Sequence, residues 1–458
     1  MIDSLEKFIV SCWNRLQRRP EGSTRGLDLG FVIADEEVTS RRMRLTSLDR
    51  LKHTAGFGLT GVGKTTLMDY EASQDLEQGN GFVSIDFHYD SFPRLLGYLA
   101  DYERRYRIDL SPGLIVVDPT DPVASVGLNV LDCGSVERAF VHIGEVAEIL
   151  KDRLGLKEFG PRTHELLIYT LYALSVTGHT LADIRLFLTN QQFRSFVLSQ
   201  VTHPEVLAYF NERYDRASDA MRSVIADAVL NKVTPLAADP YYRHIVGQQR
   251  STIKLREALD QGRRILLNLP KGILGEHATT LASLFFALLK SALFSRRSRQ
   301  PYYFYLDEVQ NLVATFSDLD TLISESRKFG VGIQTSNQHL EQVPPAVRSA
   351  LMSCSNFICF RLAHTDAERM AAALDGGKAL AELLRNLPPR RMVVKRGHER
   401  WLQVQVPYVQ LPQADYTDLY RRCRQRWATP RPQVERQILD RQLGFSQTER
   451  GETFNDWE

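Results

Sequence analysis

The stretch that decides the fold of this chain is Gly58-Leu59-Thr60-Gly61-Val62-Gly63-Lys64-Thr65-Thr66. It fits the pattern G-x-x-x-x-G-K-[ST], in which glycines let successive backbone N–H groups turn towards phosphate oxygens. The flanking residues predict a short strand over 53–57 and a helix over 65–76, and that helix would direct the positive end of its dipole at the same phosphates. The stretch therefore predicts a nucleotide-binding loop between a strand and a helix.

The residues of this loop have separate expected tasks. Lys64 can reach the β- and γ-phosphates of a nucleotide, and the Thr65 hydroxyl can ligate Mg²⁺. The backbone of the loop supplies the other contacts. The expected nucleotide contacts are Gly58, Thr60, Gly61, Val62, Gly63, Lys64, Thr65 and Thr66.

The composition is that of an ordinary globular protein with two or three domains. The chain has 458 residues, of which 43% are hydrophobic and 24% charged, so it can bury a sizeable core. A net charge of +2 excludes a strongly basic nucleic-acid tail, so any DNA contact must come from local patches. Five scattered cysteines without C-x-x-C or zinc spacing favour a reduced cytoplasmic protein. The apolar stretch 281–294 contains Lys290 and is too short for a membrane span, so we expect no integral membrane segment.

The order of predicted elements favours an α/β fold with a mainly parallel sheet and an inserted all-helical domain. Apolar, β-branched runs such as 82–87 and 114–118 are typical of strands buried on both faces, and helical stretches separate them. Strand patterns stop after residue 132 and return at 264–269. We expect the following parts: an N-terminal cap segment (1–50), a RecA-like ATPase domain in two parts (51–132 and 246–411), an all-helical domain (133–245), and a basic C-terminal helix and tail (412–458).

A second motif completes the expected site. Residues 302–306 form an apolar run that ends in Asp307 and Glu308, which is the pattern of a Walker B strand. Asp307 would then hold the Mg²⁺ shell beside the phosphate loop, and Glu308 would polarise the attacking water. Alone, the same pattern also fits a strand followed by a solvated acidic turn.

The motifs together resemble the HerA/FtsK superfamily of ring-forming ATPases, and most closely its conjugative coupling proteins of the TraG/TraD type and the HerA-like translocases. The resemblance covers roughly residues 25–440. It is carried by stretches in the family's order and spacing: His53, the phosphate loop, Asp86, 128–131, 268–272, Asp307-Glu308-Val309-Gln310-Asn311, 325–330 and 337–340. Three departures stand out. We expect no N-terminal membrane helices, although many coupling proteins carry them, so the resemblance does not imply membrane anchoring. Val62 replaces a small polar residue, and the 50 residues before the first part of the ATPase domain are too few for the HerA β-barrel.

The resemblance implies roles for two further residues. It makes Arg327 a candidate arginine finger, acting on the nucleotide of a neighbouring subunit by offsetting charge on the γ-phosphoryl oxygens. It makes Gln338 a candidate sensor of the γ-phosphate. From the residues alone, Arg327 could instead complement the dipole at a helix end, and Gln338 could cap a strand.

The implied function is an ATP-driven DNA translocase that works as a homo-oligomeric ring, a hexamer by the resemblance, with ATP and Mg²⁺. Basic clusters at 41–44, 104–107, 296–299 and 390–391 offer phosphate contacts, although each also fits a solvated helix end. The alternative is a type IV secretion ATPase that moves or assembles protein rather than DNA. A GTPase is disfavoured because Asn231-Lys232-Val233-Thr234 lacks the aspartate of N-K-x-D, and a small-molecule kinase is disfavoured by the paired acids. A relaxase with secretion proteins, or a nuclease, would be the partner, through which a cytoplasmic protein could associate with a membrane.

Overall fold

The computed structural model describes residues 26–154, 160–312, 316–340, 343–408 and 411–446. Residues 1–25 of the predicted cap segment, with Cys12, and residues 447–458 of the predicted tail lie outside this described part. The described strands are β1 (Leu27–Ala34), β2 (Glu37–Leu45), β3 (Thr54–Phe57), β4 (Gly81–Asp86), β5 (Leu114–Val117), β6 (Ala124–Ser125), β7 (Arg264–Asn268), β8 (Tyr302–Asp307), β9 (Val331–Asn337), β10 (Asn356–Cys359), β11 (Arg391–Arg396), β12 (Leu402–Gln405) and β13 (Thr429–Pro430).

The described α-helices alternate with these strands at first and then dominate the middle of the chain. They are α1 (Ser47–Arg50), α2 (Lys64–Gln78), α3 (Ser91–Tyr106), α4 (Val136–Arg153), α5 (Pro161–Val176), α6 (Ile184–Thr189), α7 (Gln191–Leu198), α8 (Pro204–Ala208), α9 (Asp219–Ala238), α10 (Pro240–Val246), α11 (Leu255–Asp260), α12 (Lys271–Leu274), α13 (His277–Phe294), α14 (Phe316–Glu325), α15 (Pro345–Met352), α16 (His364–Ala373), α17 (Gly377–Asn386), α18 (Thr417–Trp427) and α19 (Arg431–Ser446). Shorter 3₁₀ or π turns lie at Leu181–Asp183, Tyr209–Tyr214, Val309–Asn311 and Ser326–Phe329.

The chain forms two compact units, each made of several segments. The first unit comprises Met1–Val83, Ser298–Glu308 and Ile323–Leu411, and the second comprises Ser84–Arg297, Val309–Leu322 and Pro412–Glu458. The α/β fold with a large, mostly parallel central sheet is confirmed, and it carries the phosphate loop in the first unit.

The sheet of the first unit has a parallel part and an antiparallel part. Its strand order is β2-β1-β12-β11-β10-β3-β9-β8. Strands β10, β3, β9 and β8 run parallel, whereas β11, β12, β1 and β2 pair in antiparallel fashion. We call these last four strands the antiparallel extension. It buries one face against the phosphate-loop helix α2, through a core that includes Met392, Val404 and Leu67.

The predicted N-terminal cap segment contributes strands to this sheet. The stretch 41–45 predicts a strand and covers the second half of β2, whereas β1 was not predicted, because Gly26 and Gly30 suggested loops. In the structure Gly30 has φ +131°, and a Cβ there would lie 2.2 Å from the Gln405 carbonyl oxygen. The glycine therefore marks a place where the neighbouring strand approaches the backbone closely. Glycine inside a strand can indicate such a close approach rather than a loop.

The second unit contains a parallel pair, β5 with β7, and most of the helices. Between residues 133 and 245 every described element is helical. The apolar helix α13 satisfies the length and composition test for a membrane span, but 78% of it is buried inside the protein, as in a core helix.

Helix α18 packs within the second unit rather than standing free in solvent. Leu419 and Cys423 are buried, and Arg422 pairs with Glu103 and Asp109. Acidic residues from another segment of the same unit therefore neutralise Arg422, so the basic composition of the segment 412–458 does not make this helix free of the protein core. No pattern within the C-terminal segment itself carried that information.

Candidate functional site

The phosphate loop lies between β3 and α2, and its glycines are required by geometry. Gly61 and Gly63 have φ of +75° and +108°, a region that residues with side chains rarely adopt. A Cβ on Gly58 would lie 2.7 Å from the Cβ of Phe360. The loop can therefore keep its N–H groups close together at the start of α2, as phosphate binding demands.

Lys64 places its ammonium over this loop. Its Nζ donates hydrogen bonds to the carbonyl oxygens of Gly58 at 2.7 Å and Leu59 at 2.9 Å. Burial lowers the pKa of Lys64, and the charges of Asp307 and Glu308 oppose that shift. The positive charge is thus held between the loop and the two acids, where phosphate oxygens would complete its neutralisation.

Thr65 and Asp307 form the pair expected to hold Mg²⁺. The Thr65 hydroxyl donates to Asp307 Oδ2 at 3.2 Å, and burial raises the pKa of Asp307, opposed in part by Lys64. Among the described residues no group of three or more His, Cys, Asp or Glu side chains could hold a metal ion. One hydroxyl and one carboxylate nevertheless fit Mg²⁺, because that ion takes most of its remaining ligands from phosphates and water.

Glu308 is connected to the phosphate loop through Gln338. The Gln338 amide nitrogen donates to Glu308 Oε1 at 2.5 Å, and its amide oxygen accepts from the Thr60 hydroxyl at 2.9 Å. Glu308 itself adopts φ +48°, and its N–H donates to the Ser336 carbonyl at 2.8 Å. The acid is therefore fixed at both its backbone and its carboxylate. We call Thr60, Gln338 and Glu308 the relay.

Arg327 lies at the other end of the strands from the phosphate loop. It is an exposed residue of the Ser326–Phe329 turn, directly before β9, and its charge acts on buried His53 before β3. Because β3 and β9 run parallel, both residues lie at the amino ends of strands whose carboxyl ends carry the loop and Gln338. A seven-residue strand spans about 20 Å, so Arg327 does not reach the loop of its own chain.

Arg390 lies beside the phosphate loop although sequence reasoning did not place it in the site. Its backbone N–H donates to the Val62 carbonyl at 3.2 Å, and its Cγ lies 4.0 Å from where a Cβ on Gly63 would be. It has φ +64°. The sequence offered only its membership of the basic pair 390–391, which fits either a phosphate contact or a solvated helix end.

The other basic clusters are not uniformly available to a partner. Arg296 is buried, 3% exposed, with Asp260 beside it, and Arg105 pairs with Asp101 at 2.7 Å. Arg42 pairs with Asp28 at 2.8 Å, whereas Arg41 and Arg44 on strand β2 are exposed. The expected phosphate contact through Arg296 is therefore wrong, because its side chain is inside the protein.

Comparison with solved structures confirms the fold. The plasmid coupling protein TrwB in complex with ADP and Mg²⁺ matches with a TM-score of 0.55 and 15% identity, over 87% of this chain and 99% of that one. TrwB with a non-hydrolysable GTP analogue gives 0.55 and 16%, over 88% and 94%. VirB4 of Thermoanaerobacter pseudethanolicus gives 0.58 and 13%, over 88% and 100%. No protein-family model and no curated protein matches the sequence. The chain thus shares the fold of these solved structures, which is the α/β fold that its motifs predicted.

Proposed function

We propose that this chain hydrolyses ATP in a ring, a hexamer by the resemblance, and uses that reaction to move DNA, as in conjugative transfer or HerA-like DNA processing. The relay is the observation that carries the hydrolytic part, because it joins the loop expected at the γ-phosphate to the acid expected to act on water. The shared fold with TrwB and VirB4 supports a motor of the type IV secretion class.

The residues divide the chemistry among themselves. Lys64 neutralises charge on the β- and γ-phosphates, and Thr65 with Asp307 holds Mg²⁺, which supplies further neutralisation there. Glu308 accepts the hydrogen bond of the attacking water and orients it. Gln338 holds Glu308 and also bonds Thr60, so a change at the loop is transmitted to the acid.

Ring formation is supported by the position of Arg327. A fixed guanidinium would stabilise the charge that develops during phosphoryl transfer, yet this arginine lies about a strand length from the loop of its own chain. A neighbouring subunit, presenting its loop to the exposed Arg327, would bring the two together. The proposed finger therefore acts between subunits and requires assembly.

The test measures ATP hydrolysis by the full-length chain with and without single- and double-stranded DNA, alongside its mass in solution. The proposal predicts that DNA raises the rate, that salt weakens this effect, and that Glu308→Gln with ATP forms a stable ring. A hydrolysing protein that stays monomeric throughout would contradict the ring.

A motor for protein is the second candidate, favoured by the match to VirB4, which has the highest TM-score of the three comparisons described above. It predicts the same hydrolysis and the same assembly. It differs in that no form of DNA would change the rate, and no salt-sensitive DNA binding would be found. A co-purifying relaxase or nuclease would favour the DNA motor, and co-purifying secretion proteins alone would favour the second candidate. We propose a cytoplasmic location for either.

A further inference from the structure

The strands beside the phosphate loop leave an arginine and a tyrosine at its flank. Arg390 directly precedes β11, and Tyr408 follows the end of β12. The two segments are tied together: Arg390 Nη2 donates to the Val406 carbonyl at 3.0 Å, and the Val406 N–H donates to the Arg390 carbonyl at 2.9 Å. The Arg390 guanidinium carbon lies 5.2 Å from the centre of the Tyr408 ring. This geometry places a planar cation beside the loop and an aromatic ring beside that cation.

The direction of a bound nucleotide follows from the strand order. Asp307 and Glu308 end β8, which lies two strands from β3 on one side, and β11 lies two strands from β3 on the other. Neighbouring strands are about 4.8 Å apart, so each flank is about 10 Å from the strand that leads into the loop. With the γ-phosphate at the acids, as the proposed function requires, the ribose and base would extend towards the opposite flank, which carries Arg390 and Tyr408.

Tyr408 has the chemistry and the exposure to receive a base. Its side chain is 77% exposed, which leaves a ring face free of the protein interior. Aromatic rings and guanidinium groups both stack on nucleobases, and this stacking accepts any base because every base has a π-face. The φ of +64° at Arg390 is costly for a residue with a side chain, and it places the arginine where glycine or asparagine would be easier to accommodate.

We propose that Arg390 and Tyr408 form a stacking platform for the base of the nucleotide bound at the phosphate loop. This inference rests on the proposed function, because it assumes that the loop binds a nucleotide. The platform recognises the face of the base and makes no contact that distinguishes its edges. It therefore contributes affinity without selecting adenine over guanine.

The experiment compares a ligand that has a base with one that lacks it. Titration calorimetry on the full-length chain would measure Mg·ADP, Mg·GDP and Mg·tripolyphosphate. Tyr408→Ala should weaken both nucleotides by about 5-fold or more and change tripolyphosphate by less than about 2-fold. Tyr408→Phe should keep wild-type affinity. Arg390→Lys retains the charge but loses the planar group, so it should weaken the nucleotides by a smaller factor and leave tripolyphosphate alone.

Controls separate the platform from the site that it serves. Tyr106→Ala removes another exposed tyrosine, 56% exposed on α3, and should change no ligand. The platform would be overturned if Tyr408→Ala bound nucleotides as tightly as wild type, or if it lost affinity for nucleotides and tripolyphosphate equally. In that case the loss of all binding in Lys64→Ala would still show that the loop binds nucleotide. If Lys64→Ala binds every ligand with wild-type affinity, the nucleotide site is contradicted, and the platform that depends on it is contradicted too.

Discussion

The two flanks of the phosphate loop are built on different principles. On one flank, parallel strands β9 and β8 bring Gln338, Asp307 and Glu308 to the loop, and each acts through its side chain. On the other, the antiparallel extension brings Arg390, whose place is set by its backbone bonds to Val62 and Val406. The first flank carries the expected chemistry of hydrolysis and can be recognised in sequence. The second flank depends on backbone geometry, which produces little recognisable pattern in the sequence.

Helix α2 shows the same contrast within the core of the first unit. Leu67 packs against the antiparallel extension in an apolar cluster. On the other side Glu71 and Asp75 are fully buried, and Asp75 accepts from Arg50 at 2.7 Å and from the Tyr305 hydroxyl at 2.6 Å. The helix that begins at the phosphate loop is therefore held by apolar packing on one side and by buried titratable side chains on the other. Buried ion pairs contribute little net stability but are costly to break.

The largest effect on ATP hydrolysis should come from removing Lys64, whose ammonium lies over the loop between the two flanks. Lys64→Ala is expected to lower ATP hydrolysis by at least about 10³-fold, because its ammonium is the cation expected to neutralise the β- and γ-phosphates over the loop. Phosphate release is the measurement. Lys254→Ala, which removes an ammonium that is 78% exposed, is the matched control and should hydrolyse normally. A Lys64→Ala protein with the control's rate would remove the loop from the mechanism.

Arg327 tests whether one chain contains the whole site. Arg327→Ala should lower hydrolysis by about 10³-fold, the usual effect of losing an arginine finger. Lys328→Ala, a neighbouring cation 68% exposed, should not. Mixing Arg327→Ala with Lys64→Ala subunits should restore about a quarter of the interfaces, since each intact loop can meet an intact arginine. Wild-type hydrolysis by Arg327→Ala alone would end the finger assignment.

Substitutions in the relay should lower ATP hydrolysis by amounts that differ from residue to residue. Glu308→Gln should reduce hydrolysis by about 10²- to 10⁴-fold while ATP stays bound. Gln338→Ala removes the hydrogen bonds that hold this acid, and a loss of about 10-fold in kcat is expected. Thr60→Ala breaks the same connection from the other end. If the relay acts as a unit, the double variant Thr60→Ala with Gln338→Ala should lose less than the product of the single effects, and full additivity would contradict it.

Much of the first flank was predictable because its chemistry needs particular residues at particular spacings. The loop, the acids after β8 and Gln338 after β9 lie in the order that the motifs indicate, and the structure brings them within hydrogen-bonding distance. Arg327 was predictable as a candidate, but its distance from its own loop was visible only once β3 and β9 were known to be parallel.

The second flank was not predictable, for physical reasons that differ between residues. Gly30 indicated a loop because its role is to admit the Gln405 carbonyl, a contact made across more than 370 residues of sequence. Arg390 is positioned by a left-handed backbone and by bonds to main-chain atoms, so its residue type carries no pattern. Arg422 in α18 looked solvent-exposed because the acids that neutralise it lie some 300 residues earlier.

The charged side of α2 should give the smallest effect, one that depends on pH. Burial, with some help from Asp75 and against Arg50, raises the pKa of Glu71 to about 8. The native state therefore keeps a proton that the unfolded chain releases above its ordinary pKa of 4.5. The stability that this proton confers is full below that value and is lost as pH rises towards 8.

Glu71→Gln removes this loss of stability at higher pH, because the amide is neutral at every pH. Relative to wild type, the variant should gain about 1 to 3 kcal/mol in the free energy of unfolding between pH 5.5 and pH 8. Urea denaturation at the two pH values measures it.

Burial lowers the pKa of His53 to about 4, which gives the opposite slope of stability against pH below its ordinary value of 6.5, but both proteins share that contribution and it cancels. Glu77→Gln, at an exposed position of the same helix, controls for the loss of a negative charge. A difference between variant and wild type that stays constant across this range would mean that Glu71 is ionised in the native protein. The charged side of α2 would then be held by a second buried ion pair rather than by a neutral carboxyl.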